Sequence, residues 1–393
     1  MGKHGKKGSH QHQQQRRGRR AFSYNQEEEE PGYSEPRDVE ENENSNESED
    51  EEGGGENDES NDSSSNEEIP SKFSLYEQSV QSPKGDISYL LKFFLMYVGG
   101  RVPLHLQEDF CGTALLSTEW LRTDARRTAV GLDLDTEALN WCMDSNLNKI
   151  GADVHSRISL FHGNVLKPLH ASLVSFDPQD LGQHLTLEDQ KDGTNAIIDI
   201  MISSSNEGSL SNVRPHKLMK DTRLPDRDIV CAFNYSCCCL HVRKELVLYF
   251  KHAINVLNKK GGIFVMDLYG GTSSECELRL QRRFPNFTYT WEQAEFDVVQ
   301  RKTRISLHYD LKGHNKKLRH AFSYSWRLWS LPEIKDCMEE AGFRSVHFWI
   351  RNMPSSKEAR KTDGFGVGRD IKYEEVTSFQ QQDSWNAYIV GVV

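Results

Sequence analysis

The stretch LHLQEDFCGTALLSTEWLRTDARRTAVGLDLD, from Leu104 to Asp135, decides the fold. It begins with an apolar run that ends in two acids, Glu108 and Asp109, and continues with a turn of small residues. A helix-like segment follows, and a second apolar run ends at Asp133. This order predicts the strand, helix and strand that open a parallel α/β sheet, where a ligand lies over the carboxyl ends of the first two strands.

The turn after the first strand distinguishes between classes of ligand. A dinucleotide-binding turn uses three glycines, for the tight bend, for the approach of the pyrophosphate and for helix packing, whereas this turn contains only Gly112. The sequence therefore argues against an NAD(P) oxidoreductase, although that class stays an alternative. Glu108 and Asp133 could also be ordinary solvated acids at strand ends.

The spacing of the turn resembles the first motif of class I S-adenosylmethionine (SAM) methyltransferases, an acidic residue followed by three alternating glycines. Residues 108–114 read EDFCGTA, so that Phe110 and Ala114 replace two of those glycines. The resemblance implies SAM as the cofactor, with Glu108 near its cationic end and Asp133 accepting hydrogen bonds from its two ribose hydroxyls. It also implies a cofactor-binding set of Glu108, Phe110, Gly112, Asp133 and Asn164, although Asn164 could instead stabilise a turn.

Composition sets the first 70 residues apart from the rest. The chain has 393 residues and a net charge of −11, and residues 1–70 carry 8 Lys or Arg and 20 Asp or Glu, which leaves 40 and 39 for the remainder. A basic arm and an acidic run with few apolar residues predict a disordered tail over 1–70, and a methyltransferase domain over 71–393. The nearly neutral body argues against a broad nucleic-acid surface, while the basic arm could act as a nuclear-import signal or contact RNA.

Targeting and metal signals are few. No apolar run reaches the roughly 18 residues of a membrane span, and the N-terminus lacks the apolar core of a signal peptide. The eight cysteines show no CxxC spacing, which predicts reduced thiols and no metal site. We therefore expect a nuclear or cytoplasmic protein without membrane contact, and the sequence leaves its oligomeric state open.

Periodicity predicts a Rossmann-like sheet with helices on both faces. Seven strands, the number in the class I methyltransferase sheet, are expected at 103–108, 128–134, 158–162, 228–233, 263–266, 345–350 and 387–393, the fifth of them ending in Asp267. Helices are predicted at 72–81, 86–98, 115–122, 136–150 (capped by Thr136), 242–257 and 331–341.

Two insertions interrupt this pattern. The first, at about 167–227, has no sustained period and is expected to be partly disordered. The second, at 272–329, is rich in alternating aromatic residues and predicts lid-like antiparallel strands at 288–311 and 318–328, joined by a turn near residues 313–315.

Catalytic candidates follow the fourth and fifth strands. Methyl transfer is an in-line displacement, so the protein mainly positions the acceptor, excludes water and takes up a proton where one is released. Asn234, Tyr235 and Tyr269 are the predicted catalytic residues. The second insertion adds aromatic side chains that could wrap a flat or cationic acceptor, or simply pack across its strands, namely Trp291, Tyr324 and Trp326.

The motifs together predict a SAM-dependent methyltransferase whose acceptor is a small molecule or a protein side chain. An RNA or nucleobase methyltransferase is one alternative, because the FCGT segment resembles enzymes that methylate amino groups of nucleic acids. Those enzymes also carry two prolines after the fourth strand, which the segment from Asn234 to Ser236 lacks. A non-catalytic adaptor with this fold is the other alternative, since Phe110 and the missing prolines would suit a chain that has lost the chemistry.

Overall fold

The computed structural model describes residues 69–174, 217–312, 316–353 and 372–393. Almost all of the predicted tail, most of the first insertion and the turn at 313–315 lie outside these residues. Thirteen strands are present in the described part: β1 His105–Asp109, β2 Thr128–Asp133, β3 Ile158–His162, β4 Ser172–Leu173, β5 Ile229–Ala232, β6 Ile263–Gly270, β7 Leu278–Arg283, β8 Phe287–Gln293, β9 Lys302–Leu311, β10 Lys316–Arg327, β11 Ser345–Asn352, β12 Glu374–Val376 and β13 Trp385–Val392.

Seven α-helices accompany these strands in the described part. They are α1 Lys72–Ser79, α2 Pro83–Tyr97, α3 Leu115–Arg122, α4 Thr136–Trp141, α5 Ala152–His155, α6 Arg243–Val256 and α7 Leu331–Ala341. The ends of α7 show how local sequence sets the bounds, because Ser330 and Glu333 form a reciprocal capping box and Gly342 closes the helix with a φ of 115°. No helix in the described ranges is both long and apolar enough to cross a membrane.

The main sheet has the strand order β12-β11-β13-β6-β5-β1-β2-β3-β4. Its central strands β3, β2, β1, β5 and β6 run parallel, and β13 enters antiparallel between β6 and β11. Five parallel strands followed by a terminal pair confirm the predicted fold class, a Rossmann-like class I methyltransferase sheet. The strand count is nine instead of seven, because the short edge strands β4 and β12 pair antiparallel with β3 and β11.

Two predicted boundaries are wrong. Strand pairing explains the first, and side-chain capping of a helix concerns the second. Strand β6 runs past Asp267 to Gly270, because β13 pairs with it along its whole length. Asp267 therefore lies within a strand and not at its end. The predicted helix over 136–150 is α4 followed by a π-helical turn, Cys142–Leu147, and its cap is Asp135, whose carboxylate accepts hydrogen bonds from two amides of the first turn, instead of Thr136.

The second insertion forms a separate antiparallel sheet with the order β10-β9-β8-β7. The predicted antiparallel insertion is confirmed, but the segment expected as one strand over 288–311 is the pair β8 and β9, with a loop at residues 294–301. Leu75 of α1 belongs to the same buried cluster as Ile305 and Leu307 of β9. This packing fixes α1 beside the small sheet.

Apolar layers on both faces of the main sheet hold the domain together. All four residues of β5 are buried, as expected for a central parallel strand covered on each side. One layer includes Phe93 of α2 and Trp120 of α3, and the other includes Phe250 of α6 and Ile334 of α7. All eight cysteines lie in the described residues and none forms a disulfide.

Candidate functional site

Three cavities meet above the carboxyl ends of the parallel strands. The strand-end cavity, about 390 Å³, is lined by the turn after β1, by the end of β2, by α1 and by β10. The central cavity, about 490 Å³, lies over the end of β5 and beside Asp267 of β6, and the side cavity, about 260 Å³, extends toward β7 and β8. The central cavity shares Tyr76 and Asn234 with the first and Arg282 and Arg351 with the last, so the three form one cleft.

The turn after β1 keeps a glycine-like backbone with few glycines. Phe110, Gly112 and Ala114 have φ values of 56°, 52° and 48°, in the left-handed region that normally favours glycine. These are the three positions at which the motif has glycines. The ring of Phe110 packs edge-on against Tyr249, with centroids 5.6 Å apart. The substitution by Phe therefore preserves the path of the turn, and the half-buried ring packs against the core while it also lines the strand-end cavity.

Asp133 lies at the end of β2 and lines the strand-end cavity. Its Oδ2 accepts a hydrogen bond from the Gly112 amide at 2.6 Å, and its Oδ1 accepts one from the Asp135 amide at 2.8 Å. Burial raises the pKa of this carboxyl above its usual value. Each oxygen keeps a further lone pair, so Asp133 can also accept hydrogen bonds from a ligand in the cavity.

Glu108 does not reach the strand-end cavity in the described structure. Its side chain is 5% exposed, and its Oε2 accepts hydrogen bonds from the amide and the hydroxyl of Ser117, at 2.9 and 2.6 Å. Helix α3 has no side-chain cap of its own at Ala114, so Glu108 satisfies a free amide at its N-terminus. Burial raises the pKa of Glu108 to about 8.

Asn164 is not among the residues that line the strand-end cavity. Its Oδ1 accepts a hydrogen bond from the Leu166 amide at 2.8 Å, two residues along the chain. This is the turn-stabilising geometry that the sequence left open as its alternative role. The predicted cofactor residues that the structure brings together at the cavity are thus Phe110, Gly112 and Asp133.

The turn after β5 is strained in the same way as the turn after β1. Asn234 and Tyr235 both have a φ of 59°, although neither is glycine. Their amides donate hydrogen bonds to the two oxygens of Asp267, at 3.0 Å to Oδ2 and 2.7 Å to Oδ1. Burial raises the pKa of Asp267 to about 8 in spite of these bonds. The turn places Asn234 at the junction of the strand-end and central cavities.

Aromatic rings form one wall of the cleft that the three cavities share. Tyr235 lies 4.8 Å from Tyr269 and 5.8 Å from Trp326 between ring centroids. Trp291 contacts both Tyr269 and Trp326, at 6.0 and 5.6 Å, and Tyr324 stacks on Trp326 at 5.5 Å. The aromatic residues predicted from the second insertion therefore converge on the predicted catalytic tyrosines.

The two predicted catalytic tyrosines occupy different positions in this wall. Tyr235 lines the central and side cavities, whereas Tyr269 lines only the side cavity among the three and donates its hydroxyl to Gln293 at 3.3 Å. Burial raises the pKa of both hydroxyls well above the usual value. Near neutral pH both are therefore hydrogen-bond donors and not bases.

Residues of the strand-end cavity are suited to a polar ligand the size of a nucleoside derivative. The Thr113 hydroxyl oxygen and the Gln81 side-chain oxygen are buried atoms without a hydrogen-bond partner in the described structure, and both residues line this cavity. A Cβ added to Gly112 would meet no atom within 4 Å, so bare backbone faces the open space. Buried polar atoms normally have partners, and these atoms would find theirs in a ligand.

Sequence reasoning missed Arg282 and Arg351, which line both the central and the side cavities. They lie on β7 and at the end of β11, far apart in sequence and outside any motif. The alternation of β7 alone could have indicated that Arg282 and Arg283 face opposite sides of the small sheet. Only the packing of the two sheets shows that Arg282 lines the same cavities as Arg351.

Of three comparisons with known proteins, only the one with solved structures finds similar chains. No family model and no curated protein matches the chain. Among solved structures, it is similar to a SAM-dependent methyltransferase from Clostridium acetobutylicum, at 12% identity over 81% of this chain and 97% of that chain, with a TM-score of 0.47. It is also similar to SAM-bound CalS10, an amino pentose methyltransferase from Micromonospora echinaspora, at 11% identity over 81% and 95%, with a TM-score of 0.45.

A third similar structure is the glycopeptide N-methyltransferase MtfA complexed with SAM, at 13% identity over 77% of this chain and 92% of that chain, with a TM-score of 0.35. The fold itself rests on the strand order of the main sheet, a Rossmann-like methyltransferase arrangement. At 11–13% identity these matches leave the acceptor of this chain open.

Proposed function

We propose that this protein is a SAM-dependent methyltransferase whose acceptor is a small molecule bound in the central cavity. The observation that supports this most directly is the junction at Asn234. There the strand-end cavity, built on the turn after β1 and on Asp133, opens into a second chamber lined by aromatic and acidic side chains. Two chambers that meet at one strand end suit a donor and an acceptor that must react in line.

The strand-end cavity would hold SAM through the turn after β1. Asp133 can accept hydrogen bonds from ribose hydroxyls while it still binds the Gly112 amide. Thr113 and Gln81 offer polar atoms that have no partner within the described residues. SAM, when bound, supplies an electrophilic methyl group, which an acceptor lone pair takes as the carbon–sulfur bond breaks and its electron pair stays on sulfur.

The central cavity would position the acceptor and take up its proton. Asn234 lies where the two chambers meet, and its side chain can hydrogen-bond to an acceptor there. Asp267 lines the same chamber, and burial raises its pKa to about 8. A carboxylate whose pKa lies close to the working pH is suited to remove a proton from an amine or hydroxyl group.

Elements that cover the cleft favour a small acceptor over a nucleic acid. Phe322 of β10 packs against Phe73 and Tyr76 of α1, with ring centroids 5.9 and 4.9 Å apart. Lys72 at the start of α1 binds Glu137 of α4 at 2.6 Å. Helix α1 and the small sheet therefore form a roof over the strand-end cavity, which would exclude water during transfer.

Calorimetry on the full chain with SAM and with S-adenosylhomocysteine tests the cofactor site. We expect binding of both, a weaker affinity in Asp133→Asn and an unchanged affinity in Asp153→Asn, a control on an exposed carboxylate that pairs with Arg157. Absence of binding to the wild-type chain would refute the proposal.

Transfer of label from SAM to a fractionated extract identifies the class of acceptor. We expect label in the small-molecule fraction. Label in RNA would support the nucleobase alternative. Label in protein would mean that the acceptor is a protein side chain instead of a free small molecule. SAM binding without any transfer would support an adaptor.

A further inference from the structure

Two guanidinium groups face the acceptor chamber. Arg282 and Arg351 line both the central and the side cavities. Neither forms a salt bridge with a carboxylate of the described residues: Arg282 lies over the ring of Phe284 at 4.7 Å, and Arg351 over the ring of Tyr373 at 4.9 Å. The Nε atom of Arg351 is buried and has no hydrogen-bond partner in the described ranges.

The acidic groups nearby are already engaged. Burial raises the pKa of Asp86 to about 6, an effect that the Tyr388 hydroxyl bound to its Oδ1 and the nearby Arg351 cation only partly offset. Both oxygens of Asp267 accept amides of the turn after β5. The chamber thus has carboxylates bound to protein donors toward β5 and α2, and cations toward β7 and β11 that form no salt bridge with a carboxylate of the described residues.

An arginine donor that is buried without a partner is costly, since the desolvated group loses its hydrogen bonds to water. Guanidinium groups bind carboxylates and phosphates through two parallel N–H donors, and such charge-assisted pairs are stronger than neutral ones. A ligand anion would give Arg282 and Arg351 the partner that the described residues do not supply. Ser384 and Asn386, which line the side cavity, add polar side chains beside them.

We infer that the acceptor is an amine that also carries an anionic group, either a carboxylate or a phosphate. In this arrangement the amine lies toward Asn234 and Asp267, facing the strand-end cavity, and the anion lies against Arg282 and Arg351. This inference rests on the proposed function. The step balances as a substitution: the nitrogen lone pair forms the new bond to the methyl carbon, the carbon–sulfur bond breaks with its electrons kept on sulfur, and the proton leaves nitrogen for Asp267 or water.

Matched pairs of amines test the inference. The full chain is incubated with labelled SAM and with short amino acids against their carboxamides, and with O-phosphorylated amino alcohols against the free amino alcohols. We expect the anionic member of at least one pair to be methylated at least tenfold more efficiently than its neutral partner. The first set of pairs reports a carboxylate and the second a phosphate, so the preferred set identifies the anion.

Four variants, one of them a control, locate the recognition. Arg282→Gln and Arg351→Gln should each raise the KM of the anionic amine at least tenfold, with little effect on the KM of its neutral partner and on SAM affinity. Arg279→Gln is the matched control on the same strand, because Arg279 is half exposed and pairs with Glu292, and it should leave the preference intact. Arg351→Lys keeps the charge without the planar fork. Its KM for the anionic amine should therefore rise less than that of Arg351→Gln, if the Gln variant is impaired only in recognition.

The outcomes separate this inference from the proposed function. Intact SAM binding with equal use of anionic and neutral amines, or with no amine of the panel methylated, would overturn the anionic-amine assignment and leave the methyltransferase standing. An undiminished preference in both Gln variants would also overturn it. Absence of SAM binding would instead refute the proposed function, and the inference with it.

Discussion

Turns at two strand ends of the main sheet have left-handed backbones, and the carboxylate that stabilises each turn binds a different number of its amides. After β1, residues Phe110 to Ala114 hold three left-handed conformations, and Asp133 of the neighbouring strand binds one amide of that turn. After β5, Asn234 and Tyr235 are left-handed, and Asp267 of the neighbouring strand binds both of their amides. A left-handed conformation costs a residue with a side chain roughly 1–2 kcal/mol, so each turn needs such support.

The difference shows what each carboxylate is free to do. One oxygen of Asp133 accepts a hydrogen bond from the turn, and the other accepts one from the amide of Asp135 in the loop after β2. Asp267 uses both oxygens to bind a turn that carries two predicted catalytic residues, Asn234 and Tyr235. We therefore expect Asp133 to act mainly on cofactor affinity, and Asp267 to act mainly on the reaction with the acceptor.

The largest effect should come from Asp267→Asn. An amide side chain keeps one acceptor oxygen and presents an NH2 group to the second turn amide, so one charged hydrogen bond, worth about 1.5–3 kcal/mol, is lost and a repulsion is gained. We expect kcat/KM to fall by about 100-fold while SAM affinity measured by calorimetry stays within about threefold. Equal losses in SAM affinity and in kcat/KM would contradict the division of labour between the two strand ends.

The pH profile separates two roles of Asp267. If it takes up the acceptor proton, its ionised form is the active one, and because its pKa is raised to about 8 the wild-type kcat should rise between pH 6.5 and pH 9. The residual activity of Asp267→Asn should lack this rise. A rise of the same size in the variant would assign Asp267 to positioning the turn alone.

The next effect belongs to Asp133→Asn. The variant keeps an acceptor oxygen but loses the charge and one of the two amide bonds, so SAM should bind about 1–3 kcal/mol more weakly. Once SAM is saturating, kcat should fall much less than in Asp267→Asn. Calorimetry and saturation kinetics on the same preparation check this, and a SAM affinity equal to that of the wild type would remove Asp133 from the cofactor site.

These two carboxylates also show how far the sequence could be interpreted. Asp133 was predictable, because it ends an apolar run one helix after the motif, and that spacing alone places it beside the turn. Asp267 was expected at a strand end, but the pairing of β6 with β13 carries the strand past it. No local pattern reports which residues a distant final strand will extend.

Other parts of the site depend on contacts that the sequence does not encode locally. Glu108 fits the motif, yet its carboxylate points into the N-terminus of α3, because Ala114 cannot cap that helix. Arg282 and Arg351 line one chamber only because the small sheet packs against the main one. The fold and the strand-end turn were thus predictable from periodicity and spacing, whereas the acceptor chamber depends on tertiary packing.

Glu108→Gln should have a moderate effect, visible in the pH dependence of stability. The pKa of Glu108 is raised from 4.5 to about 8 on folding, so the folded state holds the proton more tightly. Its contribution to stability is therefore complete below about pH 4.5 and is lost as the pH rises toward 8. Glu108→Gln removes this pH-dependent contribution. In urea titrations, the free energy of unfolding should therefore fall between pH 5.5 and 8.5 by more than about 1 kcal/mol less in the variant than in the wild type.

The same variant bears on the comparison of the strand ends. Because the Glu108 side chain lies under α3 and outside the strand-end cavity, Glu108→Gln should leave SAM affinity within about threefold of the wild type. A tenfold or greater loss of affinity would restore the role near the cationic end of SAM that the sequence motif implies.

The smallest effect should come from Ala114→Gly, which asks whether the turn after β1 is strained or merely unusual. Glycine relieves roughly 1–2 kcal/mol of left-handed strain at this fully buried residue. It also loses about 0.8 kcal/mol of methyl burial and adds freedom to the unfolded chain worth about 0.4–1 kcal/mol. The free energy of unfolding should therefore change by less than about 1 kcal/mol, with SAM affinity unchanged.

Gly112→Ala is the counterpart, because its new methyl group enters open space in the cavity. It should cost about 1 kcal/mol in stability and weaken SAM binding as well. A loss of more than about 2 kcal/mol in Ala114→Gly would mean that this alanine supports the turn through its packing and not in spite of its backbone.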